Sequence, residues 1–204
     1  MQQVERSFPD QLLKPVTWSD EEKEVLLRDG AVVYLPIGET ISRQIQLESP
    51  FCYVAHGFVI DGKNRLTDLP SRPIEVAIYP DPKRFFVEST FDESKVWQEV
   101  RLREDCDELR KRIGLENLDE ILPEASEVTE LAFRHFRETQ GRLFGKDYSY
   151  RWMRTNTPID KWGSLFAGVG NWREVDGLLI NDWPGIGSHY GLGAARWLVP
   201  NINR

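Results

Sequence analysis

The spacing of apolar positions separates a helix-and-strand portion, up to about residue 150, from a tryptophan- and glycine-rich portion beyond it. Ser19 followed by Glu22 is the sequence signature of a capping box, and Asp20, Glu21 and Glu22 complement the positive end of a helix. These residues predict a short helix starting at Ser19 and closed by Gly30. Ala31–Leu35 is a β-prone run stopped by Pro36 and Gly38. Ile41 and Ile45, at i and i+4, predict a second short helix from Thr40 that Pro50 ends. Phe51–Ile60 reads as a strand, followed by the tight-turn pair Asp61-Gly62. Ile74–Tyr79 reads as another strand. After the rigid Pro80-Asp81-Pro82 turn, Arg84–Val87 reads as a third strand piece.

Two longer helices follow. Over 92–113, Val96, Val100, Cys106, Leu109 and Ile113 recur near helical spacing, and Gly114 ends the run. Over 125–139, behind Pro123, the stripe is Val128, Leu131, Ala132 and Phe136, ending at Gly141. Past Leu143 helical periodicity stops. Short apolar runs at 165–167, 178–180 and 197–199 alternate with Gly, Asn and Asp, the pattern of strands joined by tight turns such as Asp176-Gly177. Residues 1–18 read as an irregular arm that packs Phe8, Leu12, Leu13 and Trp18 on the body. No linker of Ser, Gly and Pro divides the chain, so a single domain over 1–204 is expected. The predicted fold is α+β: a mixed or mainly antiparallel sheet with helices packed on one side and a β-rich C-terminal part.

Composition narrows the function classes. The 204 residues are 40% hydrophobic and 29% charged, ordinary for a folded soluble chain. The net charge of −7 disfavours adhesion to nucleic acid or to an anionic membrane. That charge is uneven: residues 1–150 hold 20 basic and 29 acidic residues, and residues 151–204 hold 6 basic and 4 acidic. The acids of 88–130 read as solvated helix surface, Glu104 and Glu108 among them. Cys52 and Cys106 read as buried, reduced thiols rather than a disulfide framework or a zinc site. The N-terminal residues lack the apolar core of a signal peptide, and no run reaches the 18 apolar residues of a membrane helix, so a cytoplasmic location is expected.

Three histidines limit the catalytic options. His56 sits inside the predicted Phe51–Ile60 strand beside Gly57. His135 falls near the apolar stripe of its helix and reads as packing. His189 lies in Pro184–Gly193, where four glycines invite either turns with positive φ or a loop that brings backbone N–H groups near an anion. This loop matches neither the phosphate-loop motif, whose lysine is missing, nor a nucleophile elbow. Asp160, Asp176 and Asp182 lie in the same region. Trp152, Trp162, Trp172, Trp183 and Trp197 recur at roughly one per strand and turn, which suits core residues. Five large rings in so short a stretch also suit a binding surface, flanked as they are by Asp and Arg.

The expectation is therefore a non-catalytic ligand- or protein-binding module that uses this C-terminal region. Asp182, Trp183, His189 and Tyr190 would line one concavity, with Arg196 just beyond it. The partner would be a small polar ligand or a protein; no metal or cofactor is implied. Two alternatives are a hydrolase with His189 or His56 as general base beside Asp160 or Asp182, and a structural subunit of a larger assembly.

Overall fold

The computed structural model describes residues 14–47, 51–144, 151–173 and 177–201. The apolar groups of the arm before Lys14, Asp176, and the side chain of Cys52 lie outside what is described. Helix α1 (Asp20–Arg28) starts as the sequence requires: Ser19 Oγ accepts the Glu22 N–H at 3.2 Å, and the Glu22 carboxylate accepts the Ser19 N–H at 2.8 Å. Gly30, at φ +87°, turns the chain out of that helix into strand β1 (Val32–Tyr34). Thr40 caps α2 (Ile41–Gln46). The predicted Phe51–Ile60 strand breaks in two. Strand β2 covers Phe51–Val54, and β3 (Val59–Ile60) folds back on β4 (Lys63–Asn64). Asp61 and Gly62 between them have φ of +52° and +75°, the conformation a tight hairpin demands.

After β5 (Val76–Ile78), the predicted strand piece Arg84–Val87 is not formed. The Asp81 carboxylate caps the Lys83 N–H, and Pro82 begins a helical turn, α3 (Pro82–Phe85). Phe86 makes only an isolated bridge, to Ala195. Helix α4 (Lys95–Ile113) ends at left-handed Gly114, and β6 (Asp119–Glu120) leads to α5 (Ala125–Thr139), which ends in left-handed Gln140 rather than at Gly141. The C-terminal part is strands: β7 (Trp152–Pro158), β8 (Leu165–Arg173), β9 (Gly177–Pro184), β10 (Leu192–Gly193) and β11 (Leu198–Val199).

The architecture is α+β, with a β-rich C-terminal part. One sheet is antiparallel, in the order β1-β5-β11-β6. The other is mixed, β10-β7-β8-β9-β2, with parallel pairings at both of its edges. Helix α5 lies on this second sheet through Phe133 and Phe136, whose rings meet Trp172 at 5.0 and 5.1 Å. A single core cluster includes Tyr34, Phe85, Val128, Phe133, Trp172, Ile180 and Trp197, so it spans both portions of the chain.

Two readings of the helices need correction. The buried face of α4 is Gln98, Leu102, Cys106 and Leu109, while Val96 is 66% exposed. Gln98 replaces the expected valines because its amide donates to the carbonyls of Thr90 and Leu192, at 2.9 and 3.0 Å. The acids of this region are also not all solvated. Glu104 and Glu108 are exposed, but Glu120, Glu127 and Glu130 are buried. Glu130 accepts the N–H groups of Ile37 and Glu39, and Glu127 receives Arg72 through Nε and Nη2. These donors lie 55 or more residues away in sequence, and they are what makes burial of a carboxylate tolerable.

Cys106 is buried with Sγ directed at the Leu118 carbonyl, and burial pushes its thiol up to about 11. In a Cys52→Ser background, a thiol reagent at neutral pH should therefore label Cys106 only as fast as the protein unfolds. Rapid labelling of the native protein would contradict the packing of α4.

Candidate functional site

At one end of the mixed sheet, three segments are joined through their backbones. The Gly185 N–H donates to the Ser164 carbonyl at 2.8 Å, tying the turn after β9 to the β7–β8 turn. The Lys95 N–H donates to the Gly185 carbonyl at 2.9 Å, and the Asp92 N–H to the His189 carbonyl at 3.2 Å, fixing the start of α4 to both ends of the 185–189 loop. From beneath, the buried guanidinium of Arg154 on β7 donates to the carbonyls of Pro184 and Gly187, at 3.0 and 2.8 Å. Its Nε donates to the Gln98 side chain at 2.7 Å.

Gly168, Gly185 and Gly193 serve close approach, and none of the three has a positive φ. A Cβ on Gly185 would lie 2.9 Å from the Phe166 ring, and one on Gly193 2.8 Å from Phe91. A Cβ on Gly168 would lie 2.6 Å from Trp183, so its absence lets the indole approach β8 closely.

On this frame the rings form a row. Trp152 meets Trp183 at 5.9 Å, Trp183 meets His189 at 4.7 Å, and Tyr190 stacks on His189 at 4.5 Å with 25° between planes. His189 Nδ1 accepts the Gly191 N–H at 3.0 Å, so in the neutral ring the proton sits on Nε2. The structure thus brings Trp183, His189 and Tyr190 together. Asp182 is on the other face of β9: strand residues alternate, and it pairs opposite Ala167 with its side chain exposed. Arg196 is elsewhere. Its Nε and Nη2 hold the Asp105 carboxylate at 2.6 and 2.8 Å, and its Nη1 donates to the Arg84 carbonyl.

The other candidates are separated. His56 is exposed in the coil between β2 and β3, not inside a strand. His135 is buried, with Nδ1 2.8 Å from the Tyr34 hydroxyl, and burial holds its pKa below the usual histidine range. Asp160 caps the β7–β8 turn: burial would raise its carboxyl, but the Ser164 hydroxyl and the N–H groups of Leu165 and Ser164 donate to it and keep it low. Among the described residues no carboxylate is hydrogen-bonded to a histidine, so no base–orienter pair is assembled. Of the five tryptophans, Trp152, Trp172 and Trp197 are buried; Trp162 is 78% exposed at the tip of the β7–β8 turn, with Lys161 over its ring.

A cavity of about 410 Å3 lies beside the C-terminal half of α4, where Arg84, Arg112 and Arg196 converge with Asp29, Asp105 and Tyr79. Its cations are already neutralised by the chain itself. Burial would raise the Asp29 carboxyl, but hydrogen bonds from Arg112, Tyr79 and Arg84 outweigh it and hold the group down near about 2. Tyr79 is pushed up to about 12 by burial and by Asp29. This cluster reads as a structural ion network joining α1, α3 and α4.

No family model, curated protein or solved structure matches this chain.

Sequence patterning missed three members of the edge. Ile186 is 94% exposed, and Val96 and Trp97 stand out on the first turn of α4. Val96 sits at a helical spacing that suggests core. Only the docking of α4 through Gln98 turns it outward. Among the described residues no helix is long and apolar enough to cross a membrane, and no group of three or more His, Cys, Asp or Glu is placed to hold a metal ion.

Proposed function

We propose that the protein is a non-catalytic binding module that meets its ligand or protein partner at this aromatic edge. The observation that carries the reading is the exposure of Trp162, Ile186, Tyr190, Val96 and Trp97 on segments whose backbones are hydrogen-bonded to one another. Large apolar side chains exposed together on an ordered frame mark interaction surfaces more often than they mark packing defects. The frame also limits the entropy lost on binding, because Arg154 and the inter-segment hydrogen bonds already hold the loops.

The test is a surface variant, Trp162→Ser with Ile186→Ser and Tyr190→Ser. Its unfolding free energy should stay within about 1 kcal/mol of the parent, as for exposed sites. A photo-crosslinking residue at position 186 identifies what the edge meets in the cell. That partner, once purified, should bind the variant at least about tenfold more weakly than the parent, a loss of about 1.4 kcal/mol. Equal affinity would overturn the proposal.

A further inference from the structure

The buried guanidinium of Arg154 has no carboxylate partner among the described residues; its acceptors are the Gln98 side chain and two backbone carbonyls. A cation in the interior with only neutral partners leaves its field uncompensated, and the space above it becomes favourable for an anion. What lies above it is the turn Pro184–Ser188. The Gly187 carbonyl points down at Arg154, and in a trans peptide the N–H of the next residue points the opposite way. The Ser188 N–H is therefore directed away from the guanidinium, and the Ser188 side chain is exposed. His189 adds a third donor: its Nδ1 is occupied by the Gly191 N–H, which leaves Nε2–H on the ring's other edge. Among the described residues, neither the Ser188 N–H and hydroxyl nor His189 Nε2 has an acceptor within the chain.

We propose that this turn is a subsite for the phosphate group of a small ring-bearing ligand, received by the N–H and hydroxyl of Ser188 and by His189 Nε2–H. Arg154 acts as a positioning residue, since it orients the Gly187–Ser188 peptide and supplies positive field from beneath without touching the anion. Tyr190, 72% exposed and stacked on His189, offers its open face to the ligand's ring. Phosphate suits the donors better than a carboxylate, because its several oxygens can accept from an amide, a hydroxyl and an imidazole together.

The inference rests on reading this edge as the binding surface, and the two can fail separately. Phenyl phosphate is titrated into the intact protein at constant ionic strength, with inorganic phosphate and phenol as single-feature controls, while the Ser188 amide resonance is followed. A saturable shift is expected, with phenyl phosphate tighter than either control. His189→Phe keeps a ring against Trp183 and Tyr190 but removes the Nε2 donor together with the Nδ1 acceptor of the Gly191 N–H, and Ser188→Ala removes the hydroxyl alone. Each should weaken binding, His189→Phe by about tenfold or more; without ligand the melting temperature should be unchanged for Ser188→Ala and slightly lowered for His189→Phe, which leaves the Gly191 N–H without its acceptor. No saturation up to about 10 mM would overturn the subsite, since that corresponds to affinity too weak for a built site. A shift that His189→Phe leaves intact would overturn it equally. If phenyl phosphate fails while the edge triple variant loses its partner, the subsite falls and the surface stands. If phenyl phosphate binds as described while the triple variant keeps its partner, the subsite stands and the protein-contact reading falls.

Discussion

Arg154→Ala should destabilise the protein by about 3–5 kcal/mol, the range for a buried polar anchor whose partners are left unsatisfied. The side chain is fully buried, and its removal strips donors from Gln98 Oε1 and from the carbonyls of Pro184 and Gly187. Gln98 in turn holds Thr90 and Leu192, so the loss spreads into the junction of α4 with the mixed sheet. One effect opposes this. The interior disfavours the guanidinium charge and pushes its pKa down to about 10, so deleting it relieves a desolvation cost. The unsatisfied acceptors and the lost packing outweigh that relief. Arg154→Lys should recover little, because one ammonium on a flexible stem cannot reproduce the planar fork that reaches three acceptors. Urea unfolding of both variants checks this; a loss below about 1 kcal/mol for Arg154→Ala would show that the turn is held by something else.

Glu120→Gln should stabilise the protein in mild alkali and hardly change it in acid. Burial, reinforced by the neighbouring Asp105 carboxylate, pushes the Glu120 carboxyl up to about 9, with Arg196 and Arg110 pulling the other way. A group whose folded pKa is raised in this way supports the fold fully below its unfolded value near 4.5. Between there and about 9 the unfolded chain gives up the proton and the folded chain keeps it, so stability declines as pH rises. Glutamine keeps the shape of the side chain and carries no titration. The melting temperatures of parent and variant should therefore agree near pH 4 and separate by pH 8, with the variant higher by the equivalent of about 1–3 kcal/mol. A variant that is less stable at pH 8 would mean that Glu120 is ionised in the fold and paired.

Both predictions concern polar groups that no local pattern reveals. The helix 125–139 was legible to the residue because its apolar stripe and its flanking Pro123 agree, and the capping box of α1 was legible because both of its partners lie within one turn. Arg84–Val87 misled because Phe-Phe-Val carries strand propensity, whereas Asp81 and Pro82 just before it set a helical turn. The stripe of α4 misled because its N-terminal half docks through Gln98, whose partners lie on the 3-10 turn 88–90 and on β10. The edge was half legible. Adjacent aromatics in a glycine-rich loop pointed to Trp183, His189 and Tyr190. Asp182 was misplaced because its register on β9 decides its face, and Arg196 because Asp105, on α4, captures it. Trp97, Val96 and Ile186 follow Lys95 and Gly185, which are hydrogen-bonded to each other across distant segments, a link that carries no side-chain signature.

Hydroxyl-radical footprinting of the intact protein, purified and then in extract of its source cells, tests the edge most directly. In the purified protein Trp162 and Tyr190 should oxidise readily, and buried Trp197 and Trp172 slowly, in keeping with their exposures. In the extract Trp162 and Tyr190 should become protected together, while Trp197, Trp172 and exposed Tyr53 on β2, away from the edge, keep their rates. Unchanged oxidation of Trp162 and Tyr190 in the extract, or protection of Tyr53 instead, would contradict the assignment of this edge as the binding surface.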